Sequence, residues 1–170
     1  MKQIPLTKGQ FAIVDDADFE WLSQWKWKAS WSECTHSYYV NRTDHSSGQP
    51  VTIRMHRLIL GLEAGDKRQG DHRNGNTLDN RRDNLRIATR AENKFNCAIY
   101  TNNSSGYKGV SWNKISSSWR AYIGAKGIVT HLGYFNNPVD AAKAYNAAAL
   151  RLHGEFARLN VLPESSQEAA

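Results

Sequence analysis

The N-terminal third of the chain alternates short apolar runs with polar turns, which is typical of a small α+β unit. The acid-rich opening and the spacing of DADFEWLSQ predict a short helix. Three strands are predicted from apolar or alternating runs, QFAIVDD before that helix and then KWKASW and SYYVNRT. The run HSSGQP predicts the turn that follows them.

The middle of the chain predicts a strand that passes into a short helix, TIRMHRLILGL. Further on, LRIAT predicts a short strand and RAENKFNCAIY a helix. His56 and Arg57 lie in the first of these segments, upstream of the most polar part of the chain. A supporting role in an active site and a purely structural role are both open for them.

The last third has a different character. NNSSG (102–106) is polar and small and predicts a linker. Three strand-like runs come next, followed by an Ala-rich helix, in the order YKGVSWN, SSWRAYIGA, IVTHLGYF and NPVDAAKAYNAAALRLHG. Asn137 as N-cap, Pro138 at the first helical position and Gly154 past the end define that helix.

Four tryptophans fall within eleven residues of the first unit, at positions 21, 25, 27 and 31. Such residues could stack on nucleic-acid bases. A core role is favoured, because a domain this small has little else of comparable size to bury.

The charge is uneven along the chain, although its total is only +6. Residues 51–100 hold ten Lys/Arg against six Asp/Glu, and residues 101–160 hold seven against two. This distribution, with a pI near 9.4, favours a polyanionic partner, for which nucleic acid is the usual example.

The remaining composition indicates a soluble protein of a reducing compartment. No apolar run approaches the roughly 18 residues of a membrane span, and MKQIPLTKGQ lacks the apolar core of a signal peptide. Cys34 and Cys97 lie in no metal-type spacing, so two free thiols are predicted. We therefore expect a cytoplasmic protein without a membrane partner.

Residues 70–84 read GDHRNGNTLDNRRDN, and this run supports two interpretations. One is a turn-rich loop, since turns prefer Asn, Asp and Gly. The other is a metal site, because the Asp71 carboxylate and an Asn carbonyl suit Mg²⁺ while His72 suits a general base. Adjacent strand residues point to opposite faces, so a shared site for Asp71 and His72 requires a backbone bend, which Gly70 would permit.

Three segments together resemble the HNH endonucleases of the ββα-metal type found in phages and mobile elements: MHRLIL (55–60), DHRNGNTLDNRRDNLRIAT (71–89) and RAENKFN (90–96). The order Asp-His, then Asn-Leu, then a helix-borne Asn carries the resemblance. It implies that His72 activates water against the scissile phosphate. It also implies that Asp71 and Asn93 hold one divalent metal, Mg²⁺ or else Mn²⁺. Asn84 would bond across the loop and hold His72 in position.

The same resemblance leaves the roles of several neighbouring residues open. Asn96 lies three residues after Asn93 and could replace it as ligand on the same helical face, whereas Asn80 is expected to cap the turn. The arginines of the motif could clamp phosphates or simply lie exposed on a basic surface; they are Arg81, Arg82 and Arg86. The paired CxxC motifs of some relatives are missing from this sequence, so no structural zinc is predicted.

Residues 105–160 resemble an AP2 DNA-binding domain, which lays a three-stranded sheet in the major groove and braces it with a helix. The matching runs are GYKGVSW (106–112), WRAYI (119–123), HLGYF (131–135), DAAKAYNAAAL (140–150) and GEFARLN (154–160). Alternation within WRAYI predicts one packed face and one face free for DNA. By position, the DNA contacts fall on Lys108, Ser111, Asn113, Arg120, Tyr122 and His131. Trp112 either packs within the domain or stacks on DNA, and packing is favoured.

The sequence therefore predicts an α+β chain with a nuclease domain at 1–100 (core 55–100), a linker at 101–105, an AP2-like domain at 106–160 and a tail at 161–170. The expected activity is a metal-dependent, homing-type DNA endonuclease of a bacterial or phage-infected cell. With one motif per chain, a monomer should nick one strand of duplex DNA. The alternatives are a non-catalytic DNA-binding protein with a degenerate nuclease fold, and a structural or RNA-binding protein.

Overall fold

The structure is a computed structural model that describes residues 1–46, 48–99 and 102–163. The chain divides into two compact units, Met1–Lys94 and Phe95–Ala170. The predicted HSSGQP turn, the predicted linker and the end of the predicted RAENKFNCAIY helix each contain a residue outside the described ranges, and most of the predicted tail lies outside them.

The first unit is built from small antiparallel sheets and short helices, which confirms the α+β class. Its strands are β1 (Lys2–Pro5), β2 (Phe11–Val14), β3 (Lys28–Ser32), β4 (Ser37–Asp44), β5 (Val51–Arg54), β6 (Gln69–His72) and β7 (Leu85–Ala88). Its helices are α1 (Asp16–Leu22), α2 (Met55–Ile59) and α3 (Arg90–Phe95), the last residue of α3 belonging to the second unit. The sheets are β1–β2, β3–β4–β5 and β6–β7.

One apolar core serves this first unit. Its largest fully buried side chains are Leu22, Met55, Val14 and Val40. Trp27 is also buried and donates its indole N–H to the Leu22 carbonyl oxygen at 2.8 Å.

The four tryptophans of this unit are not equivalent. Trp27 belongs to the core, and Trp21 and Trp25 pack against it, as the interpretation of a tryptophan-rich core predicts. Trp31 differs: it is 42% exposed and meets the Tyr38 ring edge-on, with ring centroids 5.0 Å apart. Trp31 lies near the end of β3 and is not among the residues that form that core or pack against it.

Backbone hydrogen bonds fasten the segment between β6 and β7 to strand β2. The Ile13 N–H donates to the Leu78 carbonyl at 2.9 Å, and the Asn80 N–H donates to the Ile13 carbonyl at 2.8 Å. Arg82 adds a side-chain tie, because its guanidinium donates to both carboxylate oxygens of Asp18, at 2.7 and 2.8 Å. This ordered attachment distinguishes the segment from a mobile surface loop.

The second unit consists of β8 (Val110–Asn113), β9 (Ser118–Ala125), β10 (Ile128–Phe135) and α4 (Pro138–His153). The sheet has the order β10–β9–β8 and is antiparallel throughout. The helix begins as predicted: Asn137 caps it by accepting from the Asp140 N–H at 2.8 Å, and Pro138 occupies its first position.

Small residues allow α4 to lie close against the sheet. Ala141 and Ala149 are fully buried, and so is Ala121 on the facing side of β9. Two constraints require glycine at position 109. Its backbone is left-handed, with φ 73°, and a Cβ there would lie 2.2 Å from the Tyr145 ring.

The described part of the predicted linker forms an ordered turn. Asn103 Oδ1 accepts hydrogen bonds from the Ser105 N–H at 3.0 Å and from the Gly106 N–H at 2.8 Å. Ser105 Oγ in turn donates to the Val110 carbonyl at 2.9 Å. The boundary of the compact units falls earlier, between Lys94 and Phe95. Within the part of the chain that the structure describes, no helix is both long and apolar enough to cross a membrane.

The Asp18–Arg82 pair yields a stability prediction. The Arg82 guanidinium holds the pKa of Asp18 below its ordinary value, so this stabilisation is present above pH ~4 and is lost as the pH falls through the native pKa. Asp18→Asn should lower the free energy of unfolding by about 1–3 kcal/mol at pH 7, because Asp18 is buried while Arg82 is partly screened by solvent.

Urea unfolding at pH 7 and at pH 3 measures this effect. The difference between wild type and Asp18→Asn should shrink at the lower pH, and Glu20→Gln on the same helix serves as the control. An equal difference at both pH values would contradict the role of the ion pair.

Candidate active site

The polar motif lies on the two-stranded ribbon of β6 and β7. Asp71 pairs with Arg86 and His72 with Leu85 in an uninterrupted antiparallel register. The chain turns only after the strand, where the Gly75 N–H donates to the His72 carbonyl at 2.9 Å and Gly75 has φ 76°. The bend that a shared site was expected to need therefore lies directly after His72 and not between Asp71 and His72.

Asp71 lies in a buried ion pair. Arg86 donates through both Nε and Nη2 to Asp71 Oδ2, each at 2.7 Å, and both side chains are 6% exposed. The expectation that Arg86 lies on the surface as a phosphate clamp is wrong, since its guanidinium is directed at the strand partner. The pair fixes the Asp71 carboxylate within the ribbon.

Asn93 reaches the same ribbon from helix α3. Its Nδ2 donates to Gln69 Oε1 at 2.6 Å. Gln69 precedes Asp71 by two positions on β6, and residues two apart on a strand share a face. The Asn93 amide is thus tied to the face of β6 that carries Asp71.

The donor set on this face suits a hard divalent cation. Mg²⁺ commonly takes one or two protein oxygens and completes its shell with water and phosphate oxygens, so one carboxylate and one amide meet its needs. Among the described residues, no group of three or more His, Cys, Asp or Glu side chains is placed to hold a metal. Asp71 and Asn93 therefore stay predicted ligands, and both lie on this face of β6 or are tied to it.

Asn96 does not share this helical placement. Helix α3 ends at Phe95, so Asn96 lies one residue beyond it, and the argument from helical spacing does not apply. Its carbonyl oxygen accepts from Arg158 Nη1 at 3.3 Å within the second unit.

His72 is buried at the end of β6, with 5% of its surface exposed. Burial lowers the pKa of His72, while the hydrogen bond to Asn80 and the charges of Asp71 and Asp79 act in the opposite direction. The imidazole is therefore neutral at neutral pH and able to accept a proton, as a general base must be.

Asn80, expected only to cap the turn, is the residue that contacts the His72 ring. Its Oδ1 lies 3.4 Å from His72 Nε2, and the residue is fully buried. Its Nδ2 donates to the Leu78 carbonyl at 3.1 Å. Nothing in the motif singles out Asn80 for this contact, because four asparagines fall between positions 74 and 84 at similar turn-like spacings.

Asn84 spans the loop without touching that ring directly. Its Oδ1 accepts from the Asn74 N–H at 3.0 Å, and its Nδ2 donates to the Asp79 carbonyl at 2.7 Å. Asn84 therefore bridges two parts of the loop with its side chain. It acts on His72 only indirectly, by fixing the segment that carries Asn80.

Arg81 and Arg82 are paired with carboxylates of the first unit. Arg81 donates to both oxygens of Asp79, at 2.7 and 2.8 Å, and Arg82 does the same to Asp18. Both remain at the surface, as one of the two interpretations predicted, with side chains 39% exposed for Arg81 and 58% exposed for Arg82. Their guanidinium groups stabilise the loop, and a phosphate would have to compete with these carboxylates.

The outer face of the β8–β10 sheet carries five of the six predicted DNA contacts. Cross-strand register places Ser111 opposite Arg120 and His131 opposite Tyr122, while Asn113 ends β8 on the same face. The Arg120 guanidinium lies 5.3 Å from the Tyr122 ring centroid. Alternation in β9 is as predicted, since Ala121 and Ile123 are buried between the exposed residues.

Tyr134 joins this outer face and was missed by sequence reasoning. It pairs with Arg120 in the register, is 54% exposed and has its ring centroid 4.6 Å from that of His131. A register shift between His131 and Gly133 separates the two residues, and strict alternation in the sequence does not reveal it. Trp112 is 45% exposed despite an edge-on contact with Trp119, so packing covers only part of it.

Lys108 is the exception among the predicted DNA contacts. Its Nζ donates to the carbonyl oxygens of Phe95 at 2.6 Å and of Cys97 at 2.8 Å. Burial lowers the pKa of Lys108 to about 8. Its backbone is also fixed, because Asn160 Oδ1 accepts from the Lys108 N–H at 2.6 Å. The structure thus corrects the expectation: Lys108 stabilises the start of the second unit.

Comparisons with known proteins agree with the motif. The HNH endonuclease family profile matches residues 54–95. An HNH endonuclease of Acanthamoeba polyphaga mimivirus is 32% identical over 158 residues, covering 90% of this chain and 76% of the viral protein. Protein 3.8 of Escherichia phage T7 is 36% identical over 88 residues, covering 52% of this chain and 72% of the phage protein. No solved structure matches the chain.

The position of Lys108 predicts a specific substitution effect. Lys108→Met keeps most of the side-chain volume but removes the donor to two carbonyl oxygens, so the free energy of unfolding should fall by about 1–3 kcal/mol. DNA affinity of the folded protein should stay unchanged. Thermal unfolding and fluorescence anisotropy measure the two quantities, with the exposed Lys114→Met as control. If Lys108→Met instead keeps wild-type stability and binds DNA more weakly, Lys108 is a DNA contact as the sequence predicted.

Proposed function

This chain belongs to the HNH endonuclease family and is a nuclease, and we propose that it hydrolyses phosphodiester bonds of double-stranded DNA with His72 as general base and one divalent metal. The observation that carries the proposal is that one ribbon holds a buried imidazole at the end of β6 and, one residue before it, a carboxylate fixed by Arg86. The substrate class follows from the family and from the basic charge of the chain.

His72 would draw the proton from a water molecule as that water attacks phosphorus. The pKa of His72, lowered by burial, keeps the ring unprotonated for this step at neutral pH. The bond that breaks is the one from phosphorus to the leaving oxygen.

Asp71 and Asn93 would hold the metal, Mg²⁺ or Mn²⁺. When bound, such an ion stabilises negative charge on the phosphate and on the leaving oxygen. Arg86 fixes the carboxylate, and Gln69 fixes the Asn93 amide before the ion arrives. Both ligands are therefore oriented by their own contacts within the protein, which reduces the reorganisation that metal binding requires.

Targeting would be supplied by the outer face of the second unit. The five predicted contacts on this face and Tyr134 combine a cation, aromatic rings and short polar side chains, which can contact phosphates and base edges. An antiparallel three-stranded sheet braced by one helix is the arrangement that the AP2 resemblance implies, and it supports this part of the proposal. One site per chain favours a monomer that nicks a single strand.

The catalytic part is tested on supercoiled plasmid. With Mg²⁺ or Mn²⁺, wild type should convert it to the nicked circle, and EDTA should prevent the reaction. His72→Ala should lower the rate by about 10²–10⁴-fold, the usual contribution of a general base. The exposed His45→Ala is the matched control and should act as wild type. Nicking that survives His72→Ala would exclude this residue as the base, and no nicking with either metal would exclude the metal-dependent reaction.

The targeting part is tested by binding measurements at several salt concentrations. Arg120→Ala should weaken binding and, if Arg120 contacts one phosphate, reduce the slope of log K against log salt by about 1. Tyr122→Ala should weaken binding with little change in that slope. Lys143→Ala on the exposed side of α4 should leave both quantities as in wild type. Equal effects of Arg120→Ala and Lys143→Ala would contradict a DNA-binding sheet face.

A further inference from the structure

A second buried histidine packs against His72. The ring of His56, on helix α2, has its centroid 5.0 Å from that of His72, with the rings inclined at 67°. His56 is 3% exposed, so it forms part of the interior wall beside the imidazole of the proposed base. The centroid of the Tyr39 ring lies 6.1 Å from that of His56, and the Arg54 guanidinium lies 5.6 Å from the Tyr39 ring centroid.

Gly70 provides the space that His56 occupies. A Cβ at position 70 would lie 2.5 Å from His56 Cδ2 and 3.1 Å from Leu60 Cδ1. Gly70 does not have the left-handed backbone that would itself require glycine. The glycine before the Asp-His pair therefore serves the close approach of a side chain to the strand, and the bend for which the sequence suggested it lies after His72.

The contact between His72 Nε2 and Asn80 Oδ1 is long for a hydrogen bond. Its length of 3.4 Å lies beyond the usual 2.7–3.2 Å range for protein hydrogen bonds involving nitrogen. The χ2 rotation of a histidine has a broad energy minimum, so packing against the ring contributes to the tilt that the ring adopts. The adjacent His56 ring supplies such a packed surface.

We propose that His56 is a positioning residue for His72: its ring is the wall that sets the tilt of the base, and Gly70 is present to admit that wall. The inference rests on the proposed role of His72 as general base. In this proposal His56 contacts neither water, metal nor substrate. Its contribution comes from the shape of its ring and not from a hydrogen bond.

The polar atoms of His56 are consistent with this assignment. Within the described residues, no side chain or backbone group pairs with His56 Nδ1, which is buried. A buried nitrogen without a protein partner lowers stability relative to a carbon at the same place. The contribution that the structure shows for His56 is therefore the contact of its ring with Gly70, Tyr39 and His72.

Two substitutions separate shape from chemistry. His56→Ala removes the wall and should lower the single-turnover cleavage rate at saturating DNA on the order of tenfold, with DNA affinity unchanged. His56→Phe retains an aromatic wall and should stay within about threefold of the wild-type rate. His45→Ala is the exposed control. The inference is overturned if folded His56→Phe loses as much of the cleavage rate as His56→Ala does. A wild-type cleavage rate for His56→Ala would overturn it as well.

A double-mutant cycle tests the contact with Gly70 independently. Gly70→Ala should slow cleavage in the wild-type background, because the added Cβ displaces the His56 ring from its present position. In the His56→Ala background the same change should cost little, since the ring that it displaces is gone. Thermal unfolding of all four proteins confirms that each is folded at the assay temperature. An equal loss of rate in both backgrounds would overturn the role assigned to Gly70 and His56.

A spectroscopic measurement keeps this inference distinguishable from the proposed function. In protein labelled with ¹³C-histidine, the His72 Cε1–Hε1 signal, identified by its loss in His72→Ala, should shift or broaden in His56→Ala and stay unchanged in His45→Ala. An unchanged His72 signal in His56→Ala overturns the positioning role. If the signal changes as expected while wild type cleaves no DNA, the contact stands and the proposed function fails.

Discussion

The active-site segment depends on its attachment to strand β2. Two backbone hydrogen bonds at Ile13 hold Leu78 and Asn80 in place, and this attachment buries Asn80 where its amide can reach the His72 ring. A loop of Asn, Asp and Gly has little tendency to keep one conformation by itself. The N-terminal hairpin therefore supports the proposed nuclease site, although it carries none of the residues that would perform the chemistry.

Local signals in the sequence predicted the elements well. The capped helix α4 and the alternating strand β9 follow from turn chemistry and periodicity, and both are observed. The order of Asp71, His72 and Asn93 identified the family, because that pattern combines several residue types at long spacings. Partners across the fold were not accessible in this way. Nothing in the motif indicates that Asn80, among four neighbouring asparagines, meets the His72 ring, since that depends on the contact with β2.

Charged residues show most clearly why composition alone misleads. A basic motif suggests a surface for phosphates, yet Arg86 is buried against Asp71 and Arg82 is paired with Asp18. Lys108 likewise donates to carbonyl oxygens of its own unit. Sequence position reports the presence of a charge, whereas burial and pairing decide whether that charge is available to a ligand. The outer face of the second unit retains Arg120 as an exposed cation for this purpose.

The central claim is that His72 delivers a water molecule to phosphorus. Single-turnover cleavage of duplex DNA in H₂¹⁸O, followed by mass spectrometry of the new terminal phosphate, tests it most directly. Wild type should place one ¹⁸O atom in that phosphate, and His72→Ala should form almost no product in the same time. A product that lacks ¹⁸O, or labelled product formed by His72→Ala at the wild-type rate, would contradict the account.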